Sequence, residues 1–288
     1  MRRSLETVAL TGLFKEGRPA DAPLPFVSLE RFLDLSALDA IHEEVCLALT
    51  QVTVDYTGGS HRSMGIQPES QIDRSFADYG EVIRALSDAD YATFRSLADD
   101  PSSVPEERDD DTEFGEERDH PLSRRQMLWL KFRHRVYFPW KAYVELMPNR
   151  YWTEKASAEG KSFTRLARTF FKKTVAFAQA LPFEHIGRCN VMGLEANDHG
   201  TVHRDGEPAD QAETGPDHFI TIVPGGDKRL FLWDEGTKTK TPVTGRAYWF
   251  NDHDYHGVDA DPFFRYSIRV DGVFRPDFLD LLRREHSA

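Results

Sequence analysis

A histidine and an aspartate lie two positions apart in the segment TVHRDGEP, residues 201–208. In an extended strand, residues i and i+2 point to the same face, so His203 and Asp205 would present an imidazole and a carboxylate side by side. His256, in the segment HDYHGV, offers a third ligand 51 residues after Asp205. Two imidazoles and one carboxylate on one face of a metal leave three adjacent positions open, the arrangement of non-haem Fe(II) sites that use O2. The spacing therefore predicts a metal centre.

The segment FRYSIRV, residues 264–270, follows the third ligand and alternates in polarity. Strand geometry would put Arg265, Ser267 and Arg269 on one face, where burial is costly without an anionic partner. Arg265 lies nine residues after His256 and could bind a carboxylate through two hydrogen bonds, with the Ser267 hydroxyl beside it. A dicarboxylate ligand would satisfy this face.

The motifs HRD, HGV and RYS, in this order and spacing, resemble the Fe(II)- and 2-oxoglutarate-dependent oxygenases, whose pattern is HxD…H followed by RxS. The resemblance covers residues 185–275. It implies that His203, Asp205 and His256 ligate Fe(II), and that the reaction consumes O2 and 2-oxoglutarate and releases succinate and CO2. It also implies a double-stranded β-helix, a jelly-roll barrel related to cupins, backed by helices. Halogenating members of the family lack the carboxylate, so the presence of Asp205 favours hydroxylation.

The same resemblance implies a binding site for the cosubstrate. Arg265 would bind the distal carboxylate of 2-oxoglutarate, helped by Ser267. Family members also use a polar residue on an early barrel strand, and Arg188 or Asn190 in GRCNVMG alternates suitably for this role. Further candidates, for contacts with the substrate, are Arg269, His218 and Trp233.

Several of these residues have alternative interpretations. His199 and His253 lie close to the expected ligands, and we favour His256 over His253 because His253 falls twelve residues before Arg265 on a different side of the loop. Arg269 could instead form a surface salt bridge, and His218 could be a structural histidine. A simple polar turn at residues 203–205 would leave the RxS motif unexplained.

Outside the motifs, the chain changes period at Pro182. Before it, apolar residues recur at helical spacing between Phe32 and Leu49, over residues 80–98, and most clearly between Thr153 and Leu181. After it, short apolar runs alternate with turns, as in an antiparallel sandwich or barrel. We therefore expect an α+β protein. It would be one domain, 1–288, made of a mainly helical part, 1–181, a double-stranded β-helix core, 182–275, and a C-terminal helix or tail, 276–288.

Residues 101–121 form an acidic segment, in which PEERDDDTEFGEERDH holds nine carboxylates. Such composition is typical of a solvated loop with little to bury. A flexible lid over a site, or a contact for a basic substrate, is the functional alternative. The basic, aromatic segment that follows, SRRQMLWLKFRHRVYFPW, could pair with it.

Composition narrows the class of partner. A net charge of -12 over 288 residues disfavours nucleic acid and anionic membranes. Since no apolar run reaches the ~20 residues of a membrane span, we expect a cytoplasmic protein. Cys46 and Cys189 have no disulfide or CxxC spacing and are expected to be buried thiols.

The sequence therefore predicts a dioxygenase that hydroxylates an unactivated C–H bond of a small molecule or peptide: an amino acid, a peptide side chain or a related natural product, in a tailoring role. One alternative keeps the barrel but uses Zn or Mn at the same three ligands for hydrolysis or isomerisation, as in a cupin-like enzyme. Another is a jelly-roll module without catalysis, whose arginines hold an acidic ligand.

Overall fold

Two antiparallel β-sheets form the centre of the structure. The computed structural model describes residues 26–52, 79–115, 120, 122–136, 142–149, 152–205, 216–226 and 228–286 of the chain. The described strands are β1 Phe26–Ser28, β2 Ala142–Met147, β3 Phe183–Leu194, β4 Gly200–His203, β5 His218–Ile222, β6 Leu230–Asp234, β7 Thr239–Pro242, β8 Ala247–Phe250, β9 His256–Val258 and β10 Arg265–Phe274.

One sheet has six strands in the order β1-β8-β5-β10-β3-β2, and the other has four in the order β4-β9-β6-β7. The paired strands are antiparallel. Together with the helices, these sheets give the α+β class that the sequence predicts. The described helices are α1 Leu38–Leu49, α2 Tyr79–Arg84, α3 Asp88–Ser96, α4 Arg124–His134, α5 Arg165–Phe170, α6 Lys172–Ala180 and α7 Pro276–His286, with short 3-10 turns at Pro101–Ser103 and Trp152–Glu154.

The two faces of β10 have different neighbours. Tyr266 faces the helices, because its hydroxyl shares a hydrogen bond of 3.0 Å with His42 Nδ1 of α1. Ser267 faces the four-stranded sheet, because its hydroxyl accepts a hydrogen bond of 2.5 Å from Lys228 Nζ, just before β6. The polar alternate residues of β10 therefore point into the space between the sheets, as the alternation of FRYSIRV predicts.

The helical part is more interrupted than the periodicity predicts. The helix expected between Thr153 and Leu181 is two helices, because Phe171 leaves helical geometry at φ −125° and ψ 43° and is fully buried. Thr164, whose hydroxyl accepts a hydrogen bond of 3.0 Å from the Ala167 amide, caps the first of them.

The other two expected helices are also shorter than predicted. Over residues 80–98, Ser87 caps a new helix by accepting from the Asp90 amide at 3.2 Å, so α2 and α3 are separate. The helix expected from Phe32 begins only at Leu38. The capping side chain of Ser87 competes with helix continuation, which apolar periodicity does not detect, whereas α1 begins after Ala37 without a side-chain cap.

The acidic segment 101–121 is not simply solvated surface, which corrects the expectation. Phe114 is 1% exposed and Val104 3%, and both belong to a second apolar core with helices α2 to α4. Arg108 lies over the Tyr91 ring at 4.3 Å from its centroid. Residues 116–119 and 121 lie outside the described part.

Two strands and one cysteine differ from expectation. β2 was not predicted, and β7 lies within a segment expected to be a connection. Edge strand β7 carries mostly polar residues, so it lacks the apolar alternation that marks a strand. Cys189 is buried as expected, but Cys46 on α1 is exposed. Among the described residues no helix is both long and apolar enough to cross a bilayer.

Gly187 on β3 allows a segment from outside the sheets to approach the strand closely. A Cβ at this position would lie 2.3 Å from the carbonyl oxygen of Lys155 and 2.8 Å from the Ser157 amide nitrogen. His185 adds a hydrogen bond of 3.0 Å to the Ala156 carbonyl. The strand thus fixes the segment that carries Lys155, a buried cation near the site described below.

We expect Gly187→Ala to lower the free energy of unfolding by about 1–3 kcal/mol, because the methyl group meets backbone that cannot rotate away. Urea denaturation would measure this. Gly193→Ala, on the same strand, is the control: its Cβ would mainly meet the ring of Phe264, a side chain 39% exposed that can move. An equal loss in both variants would contradict the explanation.

Candidate metal centre

Antiparallel pairing of β4 with β9 brings two histidines together. His203 is the register partner of His256, and their ring centroids are 4.4 Å apart. Asp205 follows β4 directly, and its Oδ1 lies 3.5 Å from His203 Nε2 and 3.8 Å from His256 Nε2. One ligand atom from each of the three residues lies within 4.8 Å of the other two. The structure therefore clusters the three residues of the HxD…H motif.

His256 is in the form that a metal ligand needs. His256 Nδ1 donates a hydrogen bond of 2.8 Å to the Asp254 carbonyl, which leaves Nε2 with its lone pair towards Asp205 and His203. Burial, together with the neighbouring His203, lowers the pKa of His256 to about 4. The imidazole is therefore neutral at physiological pH, as a ligand must be.

Asp205 is held from two sides. Its amide donates a hydrogen bond of 2.7 Å to the Asp252 carbonyl, and its Oδ2 accepts one of 3.0 Å from Arg269 Nη1. Burial alone would raise the pKa of Asp205, but His256 and Arg269 outweigh it, so the pKa lies below the usual range. Asp205 is a carboxylate, the charge state that metal binding requires.

Arg269 lies at the centre of a buried cluster of carboxylates. Besides Asp205, its guanidinium donates to Asp252 Oδ2 at 2.5 Å and to Asp271 Oδ1 at 2.8 Å. Arg188 donates to the other oxygen of Asp271 at 2.9 Å. The expected alternative for Arg269, a surface salt bridge, does not describe this residue, which is 5% exposed.

A second group of potential ligands, Asp217, Asp252 and His253, lies beside this cluster. Lys155 Nζ lies 2.5 Å from Asp217 Oδ2 and 3.2 Å from Asp252 Oδ2, so an ammonium group already supplies the positive charge there. His253 Nε2 lies 3.6 Å from Asp217 Oδ2. His253, the alternative to His256, therefore belongs to a salt-bridge network and not to the His203 cluster.

Arg265 contacts backbone carbonyls near both strands of the ligand ladder. Its guanidinium donates to three backbone carbonyls, at 3.0 Å to Glu195, 2.5 Å to Asp198 and 2.8 Å to Asp259. Ser267 instead lies beside Lys228, which is 4% exposed. Burial, and the like charges of Arg265 and Arg269, lower the pKa of Lys228 to about 7.

Lys228 was missed at the level of sequence. It lies two residues before Leu230, the first residue of β6, but Arg229 between them has φ 53° and is not extended. Strand alternation therefore does not continue from β6 back to Lys228, and the contact of this lysine with Ser267 depends on packing between distant segments. A buried lysine has to meet polar or anionic groups.

The remaining expected site residues have distinct positions. Asn190 is fully buried opposite Arg269 and donates to the Tyr143 hydroxyl at 2.9 Å. His218 Nδ1 accepts a hydrogen bond of 3.0 Å from the Phe274 amide, a structural contact. Trp233 follows Leu232 on β6 and so faces away from His256. His199 precedes β4 and lies outside the cluster of three ligands.

The chain has only weak similarity to known proteins. No protein-family model matches the chain. No curated protein matches it at a significant level. Solved structures that overlap with it in part include a 2OG-Fe(II) oxygenase family oxidoreductase from Burkholderia pseudomallei, 13% identical, with a TM-score of 0.30 over 46% of this chain and 70% of that one.

Two further overlaps are with prolyl hydroxylases. One is a prolyl-4-hydroxylase from Pseudomonas putida, 13% identical, with a TM-score of 0.24 over 36% of this chain and 60% of that one. The other is the viral collagen prolyl hydroxylase of Paramecium bursaria Chlorella virus-1 in its 2OG complex, 13% identical, with a TM-score of 0.25 over 45% and 76% of the two chains. At these values the interpretation of the site depends on its own geometry.

We expect His256→Ala to weaken binding of Co(II) or Fe(II) at least ~100-fold, because it removes one of three clustered ligands. Anaerobic titration followed by Co(II) absorption or calorimetry would measure this. His253→Ala is the matched control, since this histidine lies three positions earlier and is also buried, and it should retain the affinity of the unaltered protein. If His253→Ala lost affinity and His256→Ala did not, the metal would bind at Asp217, Asp252 and His253 instead.

Proposed function

We propose that this chain is an Fe(II)- and 2-oxoglutarate-dependent dioxygenase that hydroxylates an unactivated C–H bond of an amino acid, a peptide side chain or a related natural product. The observation that carries the proposal is the cluster of His203, Asp205 and His256. Two buried cations accompany it: Arg269 contacts Asp205, and Lys228 contacts Ser267 on the same strand as Arg269. In this proposal the two sheets are the halves of a double-stranded β-helix, within a single oxygenase domain.

The donor set suits ferrous iron. It combines two imidazole nitrogens with one carboxylate oxygen, and such a triad on one side of the metal leaves three positions for the cosubstrate and O2. When bound, iron and 2-oxoglutarate supply the oxidising power for C–H hydroxylation, with release of succinate and CO2. Phe250 packs against His256 with ring centroids 4.9 Å apart and keeps water from that side of the imidazole.

Buried positive charge could hold the distal carboxylate of 2-oxoglutarate. Lys228 and Ser267 are hydrogen-bonded to each other between the sheets, and Ser267 is two residues, or ~7 Å along the strand, from Arg269, which contacts Asp205. An ammonium and a hydroxyl on the same face of β10 as the residue that contacts Asp205 suit a short dicarboxylate whose other end would chelate the metal. We therefore assign the distal carboxylate to Lys228 and Ser267, and Arg265 to the backbone contacts described above.

The two alternative functions use the same residues differently. A cupin-like hydrolase or isomerase would need the three ligands but no keto acid. A binding module would need Lys228 and the arginines but no metal. The contact between Lys228 and Ser267 favours the dioxygenase over the hydrolase, since an ammonium and a hydroxyl between the sheets suit the distal carboxylate of a keto diacid, for which the hydrolase has no use.

The direct test is conversion of 2-oxoglutarate to succinate by the purified protein with Fe(II) and O2. We expect slow turnover without substrate, faster turnover with the right amino acid or peptide, and an absorption band when Fe(II) and 2-oxoglutarate are combined without O2. Asp205→Ala should abolish both the formation of succinate and the absorption band. A protein that binds metal but gives neither band nor succinate with any candidate would favour the hydrolase, whereas ligand binding unaffected by Asp205→Ala would favour the binding module.

We expect Lys228→Met to raise the Kd for 2-oxoglutarate by about 10- to 100-fold, the loss expected for a charge-assisted hydrogen bond. In the unaltered protein, Lys228 is protonated below its pKa of about 7. Because the dianion prefers the charged form, the Kd should rise above that pH by up to about tenfold per unit. Titration of the metal-loaded protein between pH 6 and 9 would show this (~1.4 kcal/mol per unit).

The variant should lose that pH dependence. Lys240→Met is the matched control: Lys240 is a partly exposed lysine on β7 that pairs with Asp259 at 2.7 Å, and its removal should change neither the Kd nor its pH profile. If Lys228→Met binds 2-oxoglutarate like the unaltered protein, the distal carboxylate lies elsewhere, and Arg265 becomes the residue to test.

A further inference from the structure

The two carboxylate oxygens of Asp205 have different neighbours. Oδ1 is the oxygen that lies 3.5 Å and 3.8 Å from the Nε2 atoms of His203 and His256. Oδ2 lies 3.0 Å from Arg269 Nη1 and accepts its hydrogen bond. One oxygen is therefore available to the metal position, and the other is engaged by a guanidinium.

Arg269 is itself fixed in place. Its Nε donates to Asp271 and its Nη2 to Asp252, so three carboxylates surround one planar group. The guanidinium carbon also lies 3.9 Å from the centroid of the Phe219 ring, which covers one face. A planar fork held at all three nitrogens cannot rotate away from Asp205 without breaking other buried ion pairs.

The carboxylates that hold Arg269 are anchored in turn. Asp252 is also bound by Lys155, on the segment fixed against Gly187. Asp271 is also bound by Arg188 of β3. Charges of alternating sign thus connect the proposed ligand to two separate parts of the structure.

We propose that Arg269 is a positioning residue that restricts Asp205 to binding the metal through one oxygen, an inference that rests on the proposed metal centre. A chelating cosubstrate and O2 together need three positions, which two histidines and a one-oxygen carboxylate leave open. A carboxylate free to bind through both oxygens would occupy one of them. Arg269 prevents this by retaining Oδ2.

The test uses Mn(II) as the probe and counts metal-bound water through the relaxation of water protons. In the unaltered protein we expect three waters, as the open positions require. In Arg269→Gln we expect one fewer, a fall of about one third in the bound-water contribution. The affinity for Mn(II) should be unchanged or higher, because a neighbouring cation has been removed.

A merely structural role for Arg269 would lower thermal stability without changing the number of bound waters. Arg108→Gln is the control, because it removes a largely buried guanidinium that packs on Tyr91 in the second apolar core and is not part of the charge network around Asp205. It should keep the relaxation of the unaltered protein. If Arg269→Gln does not fold, Arg269→Lys is the variant to test. It keeps the charge but cannot bind three carboxylates as a rigid fork, so we expect the same fall of about one third in the bound-water contribution.

The outcomes separate this inference from the proposed function. A folded Arg269 variant with the relaxation of the unaltered protein overturns the positioning role, while the dioxygenase proposal is unaffected. Failure of the unaltered protein to bind Mn(II) or Fe(II) would overturn the metal centre itself. Metal binding with the expected change in Arg269→Gln, but no succinate from 2-oxoglutarate, would retain the role of Arg269 and reject the dioxygenase.

Discussion

The pairing of His203 with His256 across β4 and β9 is the contact on which the site depends. A shift of one residue in this ladder would turn one imidazole to the outer face, so the register has to be fixed. Glycines help the strands approach: a Cβ at Gly257 would lie 2.8 Å from the Gly200 carbonyl and 2.7 Å from the Phe231 ring. Close packing of this small sheet therefore sets the distance between the two ligands.

Buried charge surrounds the site on the side of the larger sheet. Arg188, Arg269 and Lys155 face the carboxylates of Asp205, Asp252 and Asp271, and each of these pairs is almost completely removed from water. Networks of this kind contribute little to stability, because desolvation costs about as much as the attraction returns. Their effect is on geometry, since any displacement leaves a charge without compensation.

Spacing along the chain predicted the three clustered residues because His203 and His256 lie on paired strands and Asp205 is two residues beyond His203, at the end of β4. It could not place Lys228 beside Ser267, because the two residues are 39 positions apart and meet only when β6 and β10 face each other. The break at Phe171 and the burial of Phe114 also follow from packing between distant segments. Patterns thus identified the elements, whereas contacts between elements determined the partners.

The hydrogen bonds of Arg265 connect segments that are distant in the sequence. The three carbonyls that it binds belong to the connection between β3 and β4, at Glu195 and Asp198, and to the residue after β9, at Asp259. One guanidinium therefore ties together the chain segments that lead into β4 and out of β9. These contacts hold the segments on either side of the His203–His256 ladder, and Lys228, just before β6, is a second buried cation between the sheets.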